Sequence, residues 1–152
     1  MAECQYVIFK LEGESYGVDI MNVKEITEYK QTVKVPNTPN FVDGIINLRG
    51  EIIPIINLKK RFHLEDIGIH SDTRVIVIHL KEKQVGFVVD EASQVLRITE
   101  ENIEPAPDMI VGVDKKYITG VGKLEDKIVL LLDLEYVLTD EEKEKIQEIS
   151  EF

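Results

Sequence analysis

The feature that most restricts the fold is one apolar run, residues 44–58, which a single polar interruption divides in two. Its halves, Ile45–Leu48 and Ile52–Ile56, are rich in β-branched residues, which favour strands. Between them Gly50 can adopt the positive φ of a tight turn. The run therefore predicts a buried β-hairpin that carries one permanent cation, Arg49, at its tip.

Two residues refine this hairpin. Pro54 lacks a backbone N–H, which indicates an edge strand or a bulge at that point. Asn57 follows the second strand and can cap a short helix over residues 58–62.

The same pattern occurs a second time. When the sequence is aligned with itself at a constant offset, Gly44 matches Gly120. At a slightly smaller offset, Tyr6–Leu11 matches Val75–Leu80. The chain therefore reads as one supersecondary unit, about sixty residues long, that is used twice. A chance similarity between apolar β segments is the alternative.

About ten short strands with regularly spaced turn signals predict an all-β protein. We expect two tandem five-stranded barrels, because closure removes exposed sheet edges. The expected domain is residues 1–152, with the first barrel at 5–62, the second at 74–138 and a C-terminal helix at 139–150. Thr139 begins that helix with a capping box, and Ile146 would dock it loosely. Thr99 is expected to cap a short helical turn through its hydroxyl.

Composition excludes several classes of function. The net charge is −11, from 29 acidic and 18 basic residues, so nucleic acid and anionic membranes are not expected partners. The apolar runs are too short to span a membrane. The single cysteine, Cys4, fits a reducing cytosol. The three histidines are not at metal-ligand spacing, and we expect neither a metal nor a cofactor.

A doubled β-barrel raises the question of a hydrolase in which each half supplies one aspartate. Asp43 precedes Gly44, but the matched residue before Gly120 is Thr119. The pair is incomplete, so we expect no enzymatic activity. The hydrolase remains the least favoured alternative.

The two hairpin tips differ in charge. Arg49 corresponds to Glu125, and the adjoining Gly50 corresponds to Asp126. The fold alone does not require opposite charges there, which indicates that the two units face different partners. Arg49 beside Leu48 and Ile52 has the composition of an interface hot spot, but a solvated turn cation is an equally good interpretation.

An ordered series of motifs resembles CheW, the bacterial chemotaxis coupling protein family. The motifs are Asn47-Leu48-Arg49-Gly50, Ile53-Pro54-Ile55, Asn57-Leu58, Tyr16-Gly17-Val18-Asp19-Ile20, Val23-x-Glu25-Ile26, Pro36-Asn37-Thr38-Pro39 with Phe41, Val89-Asp90 and Pro105-Ala106-Pro107. Each is short, but together they cover nearly the whole chain.

The resemblance implies two SH3-like barrels that share an apolar core, and a cytoplasmic, non-enzymatic adaptor. Such a protein connects the cytoplasmic tips of methyl-accepting chemoreceptors to the regulatory domain of the CheA histidine kinase. Carried over to this chain, the receptor side comprises Val23, Glu25, Gly44, Arg49 and Val95. The kinase side comprises Glu104 and Met109. A coupling protein of a non-flagellar, pilus-type chemosensory system is the nearest alternative.

An apolar groove with Val23, and with Val95, would accept side chains from a helical receptor tip. Arg49 and Glu25 would set the register of that contact through charge pairs.

Overall fold

The structure is a computed structural model, and it describes residues 3–66, 68–80, 82–106 and 114–149. The strands are β1 (Glu3–Leu11), β2 (Glu14–Asp19), β3 (Val23–Glu28), β4 (Val42–Leu48), β5 (Glu51–Asn57), β6 (Arg74–Leu80), β7 (Lys83–Val89), β8 (Glu91–Thr99), β9 (Ile103–Glu104), β10 (Ile118–Leu124) and β11 (Lys127–Leu132). The α-helices are α1 (Leu58–Arg61), α2 (Asp114–Tyr117) and α3 (Asp140–Ile149), and 3-10 turns span Ile20–Asn22, Glu100–Asn102 and Leu134–Tyr136.

The strands form two sheets, in the orders β8-β1-β2-β11-β10-β9 and β3-β6-β7-β5-β4. In the first sheet the outer strands β8 and β9 are joined by a single 3-10 turn. In the second, Val33, which follows β3, bridges to Ile45 of β4 through two hydrogen bonds of 2.9 Å. Both sheets thus curl until their outer strands meet, which confirms the predicted all-β, two-barrel fold.

The repeat is visible in the strand pairing. Ile26 pairs with Ile76, and their repeat counterparts, Val95 and Val7, pair in the same way. Gly44 pairs with Ile55, and their counterparts Gly120 and Leu131 pair next to the same register irregularity. The two copies therefore share strand register as well as sequence.

The sheets do not follow the two sequence units, however. The parallel pair β2–β11 joins the first hairpin of the first unit to the last hairpin of the second unit. The parallel pair β5–β7 joins the last hairpin of the first unit to the first hairpin of the second unit. The barrel boundaries predicted at residues 5–62 and 74–138 are therefore wrong, because each barrel takes strands from both units.

Glycine allows a close approach between the strands of both parallel pairs, β2–β11 and β5–β7. A Cβ atom at Gly86 would lie 2.7 Å from Cδ1 of Ile55, and one at Gly17 would lie 3.0 Å from Cδ2 of Leu131. Real Cβ contacts are longer, so side chains from the partner strand fill the space that these glycines leave.

The buried side chains fall into three clusters. One fills each barrel, around Ile53 and Ile55 in one case and around Val129 and Leu131 in the other. The largest lies between the barrels and includes residues of both sheets, such as Phe9 and Phe87. Strands such as β6 bury both faces because they supply a barrel interior on one side and the shared core on the other.

Several local predictions are confirmed. Oδ1 of Asn57 accepts the N–H of Lys60 at 3.1 Å and caps α1. Thr139 and Glu142 exchange two hydrogen bonds, N–H to Oε1 at 2.8 Å and N–H to Oγ1 at 3.2 Å, which is the predicted capping box.

Three others need correction. Oγ1 of Thr99 contacts the side-chain amide of Asn102 and does not cap the backbone of its turn. Pro54 lies inside the sheet, but the β5–β7 pairing starts only at Ile55, so its missing N–H breaks no bond of that ladder. The terminal helix is not loosely docked, because Ile146 is 2% exposed in the shared core.

Candidate partner-binding site

The tip of the β4–β5 hairpin is a two-residue turn. Its residues, Arg49 and Gly50, have φ angles of 52° and 88°, and Oδ1 of Asn47 accepts the N–H of Gly50 at 2.9 Å. A left-handed conformation costs a residue with a Cβ atom about 1–2 kcal/mol, so glycine or asparagine would suit this turn better than arginine. Backbone strain at one exposed cation points to a use for its side chain.

The guanidinium of Arg49 is hydrogen-bonded and ion-paired to the carboxylate of Glu25 on β3. The hydrogen bond and charge of Glu25 raise the pKa of Arg49 above its ordinary value. The arginine side chain is nevertheless 64% exposed, against 24% for the glutamate. The two residues predicted as separate receptor contacts thus form one exposed ion pair that ties the hairpin tip to β3.

A cleft of about 180 Å³ has one wall from each barrel. It is lined by Met21, Asn22, Val23, Lys24, Ile78, His79, Asp133, Leu134 and Glu135. Val23 and Glu25 lie two positions apart on β3, so one strand carries both the cleft wall and the ion pair. Val23 lines this cleft, and its role as a receptor contact stays a prediction.

Sequence reasoning missed Met21. It is 86% exposed, the highest value among the exposed large apolar side chains of the described residues, and it stands at the rim of the cleft. Oδ1 of Asp19 accepts its N–H at 2.9 Å and fixes the 3-10 turn that presents it. The available signal was that this methionine fits the apolar period of neither a strand nor a long helix.

Two predicted receptor residues lie elsewhere. Val95 is 51% exposed on β8, in the other sheet from Val23, and does not line the cleft. Gly44 is buried with a φ of 145°, and a Cβ atom there would overlap the carbonyl oxygen of Val33. Gly44 therefore supports the closure of the barrel and offers no side chain to a partner.

The predicted kinase residues are only partly described. Glu104 pairs with Lys123 at 2.5 Å, and both side chains are more than half exposed, at 55% and 56%. This ion pair lies on the barrel that does not carry Arg49. Met109 lies outside the described residues.

Asp43, the residue on which a hydrolase would depend, is a buried structural acid. Tyr29 donates its hydroxyl to Oδ2 of Asp43 at 2.7 Å, and Thr32 donates to the same oxygen at 3.0 Å. Burial and then the hydrogen bond to Asp43 raise the pKa of Tyr29 to about 12. Thr119, at the matched position, donates to the carbonyl oxygen of Leu131 at 3.2 Å. Within the described residues, no group of three or more His, Cys, Asp or Glu side chains could hold a metal ion.

Known proteins resemble this chain in sequence and in fold. The family model described as the CheW-like domain matches residues 5–142. The chain belongs to the CheW-like family. The chemotaxis protein CheW of Klebsiella aerogenes is 40% identical over 146 residues, which cover 96% of this chain and 88% of that protein. The chemotaxis protein CheW of Treponema pallidum is 35% identical, with 93% and 86% covered.

A solved structure of this family shows the same fold. The crystal structure of the scaffolding protein TtCheW from Thermoanaerobacter tengcongensis superposes with a TM-score of 0.83 at 36% identity, covering 93% of this chain and 92% of that one. The CheW-like relatives support a chemotaxis adaptor role and do not favour the pilus-type or hydrolase alternatives. Within the described ranges, every helix is too short or too polar to cross a membrane.

Proposed function

We propose that the chain is a cytoplasmic, non-enzymatic adaptor that connects the tips of methyl-accepting chemoreceptors to the regulatory domain of the CheA kinase. The observation that carries this proposal is the exposed ion pair between Arg49 and Glu25 of β3, a strand that also lines the inter-barrel cleft. It sits on one barrel, while the predicted kinase residue Glu104 sits on the other. An adaptor needs two separate surfaces, and the molecule offers them.

The receptor surface is the cleft together with the ion pair. Val23 and Met21 would accept apolar side chains from one face of a helical receptor tip. Arg49 and Glu25 would fix its register, because exposed charge pairs contribute to specificity more than to affinity. Gly44 would act through the shape of the barrel, and Val95 would belong to a separate contact on β8.

We propose that the kinase surface is on the other barrel, around Glu104. Met109, the second predicted kinase residue, lies outside the described residues. The tip of that barrel's β10–β11 hairpin carries Glu125 and Asp126 where the receptor barrel carries Arg49 and Gly50. We expect each contact to be small and its affinity to be micromolar, with repeated contacts in an array supplying the avidity.

Charge reversal at position 49 tests the receptor surface. Arg49→Glu places two carboxylates side by side and should reduce capture of a soluble receptor-tip fragment about tenfold or more, while capture of a CheA regulatory domain is unchanged. Glu125→Arg, at the equivalent turn of the other barrel, is the matched control and should leave receptor capture intact.

A double variant separates two roles of the ion pair. Glu25→Arg combined with Arg49→Glu restores the pair with its direction reversed. Recovery of receptor capture would mean that the pair acts by holding the hairpin tip, whereas continued loss would mean that the receptor reads the charges directly. Unchanged receptor capture by Arg49→Glu alone would remove this ion pair from the site.

A further inference from the structure

The repeat gives the first cleft an equivalent position, named here the second cleft. The segment from β2 through the following turn to β3 matches the segment from β7 through Asp90 to β8 without a gap. The strand pairing supports this match: Val23 pairs with Ile78, and their repeat counterparts, Ala92 and Phe9, pair with each other. In this alignment Met21 corresponds to Asp90. In the alignment that places Gly44 on Gly120, Glu135 corresponds to Lys59, and both follow a capped strand end.

The two equivalent clefts differ in what fills them. In the first, Met21 and Glu135 are exposed. In the second, the ammonium of Lys59 lies 2.6 Å from Oδ1 of Asp90 and 3.2 Å from Oδ1 of Asp66, and its side chain is only 2% exposed. Asp66 belongs to the segment that leads from the first unit to the second. The chain itself therefore supplies a side chain to the second cleft.

This segment, residues 62–66, is held by several bonds and is named here the strap. The N–H of Leu64 donates to the carbonyl oxygen of Lys59 at 2.8 Å. The carboxylate of Asp66 accepts the side-chain amide of Asn57 at 3.1 Å and the N–H of Gly68 at 3.0 Å. A buried ammonium is costly unless it is paired, and Asp66 is the partner that the strap adds to Asp90, so this contact favours the closed position.

The surfaces beneath the two openings are alike. Ile78 and Leu134 contribute to the first, and their counterparts Phe9 and Leu58 are fully buried at the second. Ile78 and Leu134 are themselves buried, and the open cleft is also lined by polar side chains such as those of Asn22, Lys24 and His79, whereas the equivalent position at the second is covered by the protein's own chain.

We propose that the strap is an internal occupant of the second cleft, held by Lys59 and Asp66, and that it restricts the molecule to one helical partner at the first cleft. The strap excludes a second copy of the same partner from an otherwise equivalent surface. This inference rests on the proposed receptor function. The partner is the helical receptor tip of that function, which would meet Met21 and Val23 at the open cleft.

Titration of the full chain with a soluble receptor-tip fragment tests the proposal, with calorimetry giving the number of sites. The wild-type protein should bind one fragment. Asp66→Ala should lower hydrogen-exchange protection in the strap by about tenfold or more, because it removes charge-assisted hydrogen bonds, and should create a second site. Asp72→Ala, in the same connection between β5 and β6, is the matched control and should retain one site.

Each other outcome is informative. If the wild-type protein binds no fragment, the receptor function itself fails. If it binds one, and Asp66→Ala opens the strap but still binds one, the second cleft is not a docking surface. Unchanged protection in Asp66→Ala would show that Asp66 does not hold the strap, which also overturns the proposal. Should Asp66→Ala fail to fold, Asp66→Asn keeps the side-chain volume, removes the charge and is judged by the same two readouts.

Discussion

Replacing Gly44 by alanine separates a structural role at this position from a binding role. Gly44 has a φ of 145°, a region that residues with a Cβ atom rarely adopt. Its Cβ atom would overlap the carbonyl oxygen of Val33 and would lie 2.8 Å from Cβ of Thr32. That carbonyl oxygen accepts one of the two hydrogen bonds by which Val33 bridges to Ile45 and closes the barrel.

The magnitude follows from two contributions. A residue forced into a sparsely populated backbone region costs about 1–3 kcal/mol. Moving Val33 away would weaken two hydrogen bonds, each of which contributes about 0.5–1.5 kcal/mol net. Gly44→Ala should therefore lower the free energy of unfolding by about 2–6 kcal/mol, a large part of the roughly 5–15 kcal/mol available to a domain.

Urea denaturation measures this loss. With a slope of about 1–3 kcal/mol per molar, the midpoint should fall by about 2 M. Two glycines serve as controls. Gly50→Ala meets a positive φ but, among the described residues, no atom within 4 Å, and should cost about 1–2 kcal/mol. In Gly120→Ala, the repeat counterpart, the new Cβ atom would lie 3.0 Å from the carbonyl oxygen of Glu104, and this glycine has no positive φ. Its loss of stability should lie between those of the other two variants.

If Gly44→Ala were as stable as Gly50→Ala, the close approach to Val33 would not constrain the fold, and this reasoning would be refuted. If it were stable yet lost receptor capture, Gly44 would have to act on the receptor directly.

Three further predictions concern Tyr29, Ile146 and Asp66. Tyr29→Phe should remove one tyrosine that ionises at about pH 12 in an ultraviolet titration. The pKa of that tyrosine is raised in the folded state, so its contribution to stability should be complete below about pH 10 and lost as the pH rises towards 12. Ile146→Ala should destabilise the protein by about 2–4 kcal/mol in a thermal melt, against less than about 0.5 kcal/mol for the exposed Glu144→Ala. Burial raises the pKa of Asp66, but the Gly68 N–H, Lys59 and Asn57 outweigh it and lower that pKa overall, so the contribution of this carboxylate is present above about pH 4 and lost on further acidification. Acid denaturation of Asp66→Asn should therefore lack this part of the pH dependence, and a curve parallel to that of the wild type would contradict it.

Local structure was predictable because it depends on neighbouring residues. The β-branched runs on both sides of Gly50 gave the central hairpin, Asn57 gave the cap of α1, and Thr139 with Glu142 gave the capping box. Each rests on a backbone conformation or a hydrogen bond within a few residues.

The exchange of strands between the units was not predictable. Internal similarity shows that two segments adopt the same structure, but β2 could pair equally well with its own unit or with β11 of the other. That choice depends on packing between distant strands, where the side chain of Leu131 packs against Gly17 and that of Ile55 packs against Gly86. Packing between distant elements also decides how deeply Ile146 is buried, so a mostly polar helix predicts only a loose contact there.

The site was found in outline only. Arg49, Glu25 and Val23 were identified through motifs, but that the two charges pair with each other depends on the distance between a turn and a strand 24 residues apart in sequence. Met21 was missed because its signal, a methionine outside the apolar period of a strand or a long helix, does not by itself show that the side chain is exposed. The strap was missed for the related reason that Lys59 looks like part of a solvated basic cluster.

The exchanged strands bear on how the protein is made. β2 ends at Asp19, yet its parallel neighbour β11 begins only at Lys127. On a ribosome that emits the chain from its N-terminus, the first hairpin is therefore synthesised long before the strand that will cover its open side. Pairing between strands so distant in sequence is slow to form. Until translation is nearly complete, the open edge of β2 must avoid pairing with strands of other nascent chains.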